Sequence, residues 1–382
     1  MTTTPPLPRG RTRLHVVQLY SGGSTATGVH VRSLAAGLAA RGLRVTVCAP
    51  RAAERRYRFA ETGARFAALP SPAHRDAVAR LRQTCGDADL VHAHGLCAGA
   101  VAALAVARTD TPLVVTWHTR PGGRGAAVRV RRLTERWVAR AASVVLGATS
   151  DLVERARLRG ARDARLAPVA LPSPRTPVPP GSTRYGTGQA TLTPSSLRAA
   201  LRAGDRPLLL AVGRLAPHQG HDTLLTAARS WRGLDPCPLL LIAGEGRDRA
   251  ALQERIDRER LPVRLLGSRP DVLRLLGEVD LALVAARWAG RSLIAQEALR
   301  GGVPLVATAV GGLPELVGDA AVLVPYGDAA AVAGAVAALL ADPARRAELA
   351  AAGQARAATW PTEDSTVAQV LSIYDEFTHP PR

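Results

Sequence analysis

The sequence contains no lysine and no asparagine, so arginine supplies all 50 of its permanently positive side chains. Codons for both missing residue types are rich in adenine, and the simplest explanation is a GC-rich bacterial genome that encodes arginine in place of lysine. The net charge of +19 is therefore not sufficient evidence for a polyanionic ligand.

Aromatic residues make up only 3% of the chain. Base stacking needs clustered aromatic side chains, and neither such a platform nor a recognition helix is visible in the sequence. We therefore predict that nucleic acid is not a partner.

Cysteine is also scarce, with four residues that form no CxxC pair and no zinc-like spacing. This excludes a disulfide framework and a structural zinc site of the usual kind, and it favours a reducing compartment. No apolar run approaches the length of a membrane span, about 18 residues. The first residues lack the apolar segment of a secretory signal, and we expect a cytoplasmic protein.

The positive charge is unevenly distributed along the chain. Residues 1–170 contain 27 arginines and 10 acidic residues, whereas residues 171–382 contain 23 and 21. Codon bias would add arginine to both halves equally, and the difference between them lies as much in a deficit of acidic residues as in a surplus of arginine. This asymmetry suggests that the N-terminal half faces an anionic partner.

Short apolar runs alternate with helix-length amphipathic stretches along the whole chain. Such an order is typical of βαβ units, in which parallel strands are covered by helices on both faces. The predicted strands of the first half are 14–19, 44–49, 90–92, 113–117 and 143–146. Those of the second half are 207–212, 239–243, 263–266, 281–285, 304–307 and 321–324. The fold class is α/β, with two Rossmann-like, doubly wound parallel-sheet domains facing a cleft.

A segment rich in Pro, Gly, Ser and Thr separates the two halves. We predict an N-terminal domain at 1–171, a linker at 172–206 and a C-terminal domain at 207–360. The last helix, within 361–382, is expected to pack back on the first domain. Ligands of open α/β sheets bind outside the carboxyl ends of the strands, which places the candidate site there.

Two clusters in the second half carry candidate chemistry. In VGRLAPHQGHDTLL, at 212–225, Arg214 directly follows a strand and presents a planar cation suited to phosphate. In the stretch 287–317, Ser292 is a candidate N-cap, and Glu297 lies in the second turn, where a carboxylate accepts two hydrogen bonds from a ribose diol. The alternative is that both are ordinary surface residues, Arg214 an arginine in a turn and Glu297 a solvated glutamate on a helix.

Taken in order and spacing, the motifs resemble the retaining GT-B glycosyltransferases of family 4. In the first half the resemblance rests on YSGGSTATGVHVRSLAAGLAARGLRVTV at 20–47, DLVHAHG at 89–95, PLVVTWHT at 112–119 and SVVLGATSDL at 143–152. In the second half it rests on GRL at 213–215, GEG at 244–246, the Glu297 helix, GGVPLVAT at 301–308 and GGLPELV at 311–317. The resemblance implies a nucleoside-diphosphate sugar as donor, retention of anomeric configuration, and no metal or other cofactor.

The resemblance assigns the donor's diphosphate to five residues. Gly22 and Gly23 would let the backbone approach it, since a Cβ would obstruct that approach. Arg214 would neutralise the charge that develops on the leaving group. The amides of Leu293 and Ile294 would add donors at a helix N-terminus.

The rest of the donor is assigned in the same way. Glu297 would hold the ribose, and the backbone near Arg269 would contact the base. His118 would contact a hydroxyl of the transferred sugar. The leaving phosphate oxygen can accept the proton of the acceptor, so the family's mechanism needs no protein base.

Two positions depart from the family pattern. A lysine usual five residues after Arg214 is Gln219, and a glutamate usual eight residues before Glu297, which holds the transferred sugar, is Ala289. Arg291 could supply the missing charge near the donor, with His218 or His221 when protonated. Two alternatives stay open: an active glycosyltransferase, or a weakened paralogue that binds a nucleotide sugar or a partner protein without efficient turnover.

Two further patterns have competing explanations. His92 and His94 lie two residues apart at a strand end, but no third ligand is near them in sequence, so we predict no metal site. The helix predicted at 126–141 has a stripe of Val130, Leu133, Trp137 and Ala141 flanked by arginines. The usual interpretation is a core stripe, and the alternative is a helix on an anionic membrane surface, consistent with a lipid-linked acceptor.

Overall fold

The computed structural model describes residues 13–70, 76–120, 125–170, 198, 199, 201 and 203–378. The chain divides into two compact units, residues 1–173 with 361–382, and residues 174–360. Most of the expected linker, namely 172–197, 200 and 202, lies outside the described residues.

The first unit contains a parallel sheet in the order β3-β2-β1-β4-β5-β6-β7. Its strands are β1 His15–Tyr20, β2 Arg44–Ala49, β3 Arg65–Ala68, β4 Leu90–His94, β5 Leu113–Trp117, β6 Val144–Gly147 and β7 Ala164–Leu166. Its first helices are α1 Thr25–Ala40, α2 Arg51–Tyr57, α3 Ala77–Thr84, α4 Leu96–Val106, α5 Ala126–Ala141 and α6 Ser150–Leu158.

The second unit repeats this plan with the order β10-β9-β8-β11-β12-β13, again parallel. Its strands are β8 Leu208–Val212, β9 Leu239–Ala243, β10 Val263–Gly267, β11 Leu281–Val284, β12 Leu305–Thr308 and β13 Val322–Val324. Its helices are α7 His221–Ser230, α8 Arg249–Glu259, α9 Val272–Leu276, α10 Leu293–Arg300, α11 Leu313–Val317, α12 Ala329–Ala341 and α13 Pro343–Ala358. The α/β fold predicted from the sequence is confirmed within each unit.

The sequence patterns missed β3 and β7, the two outer strands of the first sheet. Both are short, and each mixes half-buried with exposed positions. A strand of three or four residues at a sheet edge carries too little alternation to be recognised. The inner strands, by contrast, are almost wholly buried and mostly apolar, and they lie at or within two residues of their predicted positions.

The last helix, α14 Glu363–Thr378, belongs to the first unit although it follows the whole of the second. It packs on α1, where a Cβ at Gly37 would lie 2.4 Å from Val367 Cγ2. Its buried Tyr374 hydroxyl lies 2.6 Å from Nδ1 of His92 on β4. The helix therefore completes the core of the first unit.

Helix α5 turns its apolar stripe outward. Val130 is 63% exposed, Leu133 64% and Trp137 40%, while the residues buried on this helix are Glu135, Val138 and Ala139. The usual interpretation of the stripe as core is therefore wrong. An apolar face flanked by arginines lies on the surface of the first unit. Among the helices that the structure describes, none has the length and apolar character needed to cross a bilayer.

A buried ion-pair cluster holds α5 in this orientation. The side chain of Glu135 is 2% exposed, and both its oxygens accept hydrogen bonds from Arg155 Nη2 of α6, at 2.7 and 2.8 Å. Arg159 Nε donates a third at 2.9 Å. Because a buried carboxylate must be paired, this cluster fixes which face of α5 points inward.

We expect Glu135→Gln to lower the free energy of unfolding by about 3 kcal/mol, because it leaves two partly buried guanidinium groups without a counter-charge. Chemical denaturation followed by circular dichroism measures this. Glu154→Gln on α6 is the matched control, since its pair with Arg157 is about two-thirds exposed on both sides and contributes about 0.5 kcal/mol or less. Equal losses in the two variants would contradict the role given to Glu135.

Candidate functional site

The candidate donor residues of the second unit follow the carboxyl ends of its strands. Arg214 comes after β8, Arg269 after β10, and Arg291 lies between β11 and α10. Because the strands are parallel, these loops share one edge of the sheet. Strands β8 and β11 are neighbours although they are distant in sequence. The order reverses there, which is where open α/β sheets bind their ligands.

The loop that carries Arg214 is held by the next loop of the sheet. Backbone N–H groups of Gly213 and Leu215 donate to the carbonyls of Ala243 and Glu245, both at 3.0 Å. Gly244 has φ +152°, and a Cβ there would lie 1.8 Å from the Gly213 carbonyl oxygen. Glycine is required at this close approach, so the GRL and GEG motifs form one rigid backbone unit.

Arg214 itself is exposed, and no carboxylate in the described part of the chain pairs with it. Its carbonyl oxygen lies 3.2 Å from Nε2 of His221, the first residue of α7. Burial lowers the pKa of His221, so this ring acts as a neutral donor that fixes the Arg214 backbone. The suggestion that protonated His221 replaces a missing cation is therefore not supported.

Gln219 occupies the position where the family pattern has lysine. Its side-chain amide lies against the GR turn, so that a Cβ at Gly213 would be 2.9 Å from its Oε1. The amide is neutral and packs on the backbone. Gln219 thus contributes no charge beside Arg214.

Helix α10 begins as the sequence predicts. The Ser292 hydroxyl caps it by accepting from the Ala295 N–H at 3.4 Å. The first amides of a helix, here those of Leu293 and Ile294, have no intrahelical acceptor, which suits them to binding an anion. The Leu293 side chain is 39% exposed, while Ile294 is anchored in the core.

Glu297 lies one turn further along α10, with a side chain that is 17% exposed. Burial raises the pKa of its carboxyl, and Arg300, at 3.5 Å, opposes that shift. A carboxylate that is partly desolvated but held by a neighbouring cation is a strong acceptor for hydroxyl groups.

Two predicted donor-binding arginines are engaged within the unit. Arg269 forms a two-pronged pair with Asp271 at 2.8 and 2.6 Å. The Arg291 guanidinium stands 5.9 Å from the centre of the Trp360 ring, and burial lowers its pKa to about 10. Trp360 was not recognised from the sequence, because its place beneath Arg291 depends on the packing of α13 against α10.

Ala289, the other departure from the family pattern, lies in the loop before α10. Its carbonyl accepts the Gly312 N–H at 2.9 Å, which fastens the GGLPELV loop to it. The methyl side chain offers no polar group to a ligand.

The first unit places its candidates at the corresponding edge of its own sheet. Gly22 and Gly23 follow β1 with φ angles of +126° and +150°, which side-chain-bearing residues rarely adopt. Ser24 then caps α1 by accepting from the Thr27 N–H at 3.2 Å. The glycines therefore form the turn from strand to helix.

His118 follows β5 and is partly buried. Its Nε2 lies 3.2 Å from Nδ1 of His94, the last residue of β4. Burial, with the neighbouring His30 and His92 rings, lowers the pKa of His118 well below its usual value, so the ring is neutral. Sequence reasoning missed His30 as a member of this cluster, although its helix starts from the glycine loop at the same sheet edge.

Two family models match the chain. One, described as glycosyl transferases group 1, matches residues 195–356, and the other, a glycosyl transferase 4-like domain, matches residues 25–172. The D-inositol 3-phosphate glycosyltransferase of Xylanimonas cellulosilytica is 31% identical over 315 residues, which cover 76% of this chain and 72% of that protein. The glycogen synthase of Mycobacterium tuberculosis is 28% identical over 309 residues, covering 74% and 68%.

Solved structures share the fold. Anabaena HepE in complex with UDP and glucose superposes with a TM-score of 0.78 at 19% identity, covering 95% of this chain and all of that one. Sucrose-phosphate synthase from Thermosynechococcus elongatus superposes with a TM-score of 0.72 at 20% identity, covering 95% and 99%. At these identities the likeness concerns the fold.

Proposed function

Since the chain belongs to the glycosyl transferases group 1 family, we propose that it transfers a sugar from a nucleoside-diphosphate sugar to an acceptor, with retention and without a metal or other cofactor. The observation that carries this proposal is Arg214, which is exposed on its rigid loop and unpaired with any carboxylate among the described residues. A permanently charged planar group, fixed at the strand-order reversal of a sheet, suits a diphosphate.

The chemistry follows from charge development at the leaving group. As the sugar–phosphate bond breaks, negative charge grows on the diphosphate, and Arg214 with the first amides of α10 stabilises it. A leaving phosphate oxygen then takes the proton of the acceptor hydroxyl. Glu297 holds the ribose. The roles that the family resemblance gives to Gly22, Gly23 and His118 in the first unit remain predictions.

The second candidate is the weakened paralogue, which binds a nucleotide sugar or a partner protein without efficient turnover. It is favoured by the neutral Gln219 beside Arg214 and by the methyl group at Ala289. Because the Arg291 guanidinium lies over the Trp360 ring, Arg291 does not simply replace the positive charge of the missing lysine. Turnover assays with donors that bind distinguish the two candidates.

We expect Arg214→Ala to weaken donor binding at least about tenfold, because a hydrogen bond to a charged group contributes about 1.5–3 kcal/mol. Titration calorimetry with UDP-, GDP-, ADP- and TDP-sugars measures this. Arg258→Ala, on the exposed face of α8, is the control and should bind like the wild type. Absence of binding by the wild type across the panel would overturn both candidates.

Ala289 predicts an altered choice of sugar. A donor hydroxyl left without its carboxylate loses about 1.5–3 kcal/mol, so fully hydroxylated hexoses should be poor donors relative to deoxy or amino sugars. Ala289→Glu should shift the preference towards the fully hydroxylated hexose by about tenfold or more. Ala289→Gln controls for size, and an unchanged preference in Ala289→Glu would remove this explanation.

For the acceptor, we propose a lipid-linked molecule at an anionic membrane, with the protein peripheral at its inner face. The exposed stripe of Val130, Leu133 and Trp137 supplies apolar contact. Exposed Arg129, Arg132, Arg136 and Arg140 on the same helix supply attraction to anionic headgroups. The excess of arginine in residues 1–170 fits the same partner.

The expected result is co-sedimentation with anionic but not neutral vesicles, and its loss at high salt. Each basic residue near the surface contributes about 1 kcal/mol, so Arg129→Glu with Arg132→Glu should weaken binding by about 30-fold or more. The control, Arg258→Glu with Arg345→Glu, makes the same charge change on the second unit. Equal and negligible binding to both vesicle types would contradict this proposal and would indicate a soluble small molecule as the acceptor.

A further inference from the structure

Three histidines from separate elements converge at the carboxyl edge of the first sheet. His30 comes from α1, His94 ends β4, and His118 follows β5. One ring nitrogen from each lies within 4.8 Å of the other two. The ring centres form a nearly equilateral triangle with sides of 5.3, 5.5 and 5.7 Å.

These distances are those of imidazoles around a common metal ion. Zinc–nitrogen bonds of about 2.0–2.1 Å place two tetrahedral ligand nitrogens about 3.3 Å apart. Nδ1 of His94 and Nε2 of His118 are 3.2 Å apart. One edge of the coordination polyhedron is thus already at zinc spacing, and the two edges that involve His30 are no longer than 4.8 Å.

The His94 ring is only partly engaged within the unit. It is fully buried, its Nδ1 contacts Nε2 of His118, and its Nε2, on the other side of the ring, has no hydrogen-bond partner among the described residues. His92, although adjacent, is different: its two ring nitrogens contact the hydroxyls of Tyr374 and Thr116, each at 2.6 Å. His92 is therefore satisfied within the core, and three histidines rather than four face the shared point.

We propose that His30, His94 and His118 form a binding site for one borderline divalent transition-metal ion, with zinc as the representative. Three neutral imidazoles with an open fourth position make a recognised zinc set, and imidazole nitrogen suits this class of ion. The sequence-based prediction of no metal site considered only neighbours along the chain, whereas the fold supplies His30 and His118.

Occupancy of the site has a consequence that rests on the proposed function. The metal takes a ring nitrogen of His118, the side chain that the family resemblance gives to the donor sugar. Bound metal therefore opposes sugar transfer, and a chelator restores it. The ion acts here as a reversible inhibitor, separate from the metal-independent transfer step.

Metal binding is tested without reference to activity. Cobalt(II) is added to the Cys97→Ser protein, which removes the exposed thiol three residues after His94, and the visible absorption of tetrahedral cobalt is recorded. Zinc should displace the cobalt with a stoichiometry of one. His30→Gln and His118→Gln should each weaken binding by about tenfold or more. His218→Gln, at an exposed histidine of the second unit, should leave the affinity unchanged.

Circular dichroism of each variant verifies the fold, and two separate variants guard against a misfolded one. Absence of the cobalt bands in the folded parent protein overturns the site and leaves the rings as a neutral hydrogen-bonded cluster. Affinity unchanged in both His30→Gln and His118→Gln overturns it as well. Zinc inhibition is a separate measurement: if cobalt binds but zinc does not inhibit transfer, the site stands and the link to His118 in the proposed function fails.

Discussion

The parallel direction of every strand is the constraint on which both units depend. Parallel strands bring all their carboxyl ends to one edge, so each strand can be followed by a different chemical group at the same place. In the second unit this edge collects Arg214, the GEG loop and the start of α10. In the first it collects the glycine turn and the histidines. The remaining structure, including the paired Glu135 and the capped helices, keeps these loops on a rigid support.

Much of the fold was predictable because strands that are buried on both faces of a sheet consist mostly of apolar residues. Strands such as β9, Leu239–Ala243, are continuous apolar runs whose bounds follow directly from the sequence. The edge strands β3 and β7 carry no such pattern. The apolar stripe of α5 was visible in the sequence, but periodicity reports only that a stripe exists. Which face turned inward was decided by Glu135, whose partners are Arg155 on α6 and Arg159 directly after it, and spacing in the sequence does not mark them as partners.

The residues of the candidate site also fall into those that the sequence predicts and those that it does not. Residues in strand-end loops, such as Arg214 and His118, were predictable because motif and topology agree on their position. The N-cap of α10 was predictable because Ser292 acts on its own neighbours. The roles of His30 and Trp360 were not, since each becomes meaningful only when a helix packs against a separate element. Arg291 illustrates that the sequence shows the presence of a cation but not its contacts: the guanidinium that would face a phosphate lies over an aromatic ring instead.

The position of α14 has a consequence for how the chain is made. Its Tyr374 hydroxyl is the partner of the buried His92 ring, and its Val367 fills the groove left by Gly37. On a ribosome these residues emerge only after the whole second unit. At synthesis rates of about 5–20 residues per second, the first unit lacks α14, and with it the Tyr374 partner of His92, for roughly 10–40 s. The second unit, continuous in sequence, closes its own core in that interval. The N-terminal half of the chain is therefore the last to become native. It is also the half to which nascent-chain chaperones have the longest time to bind.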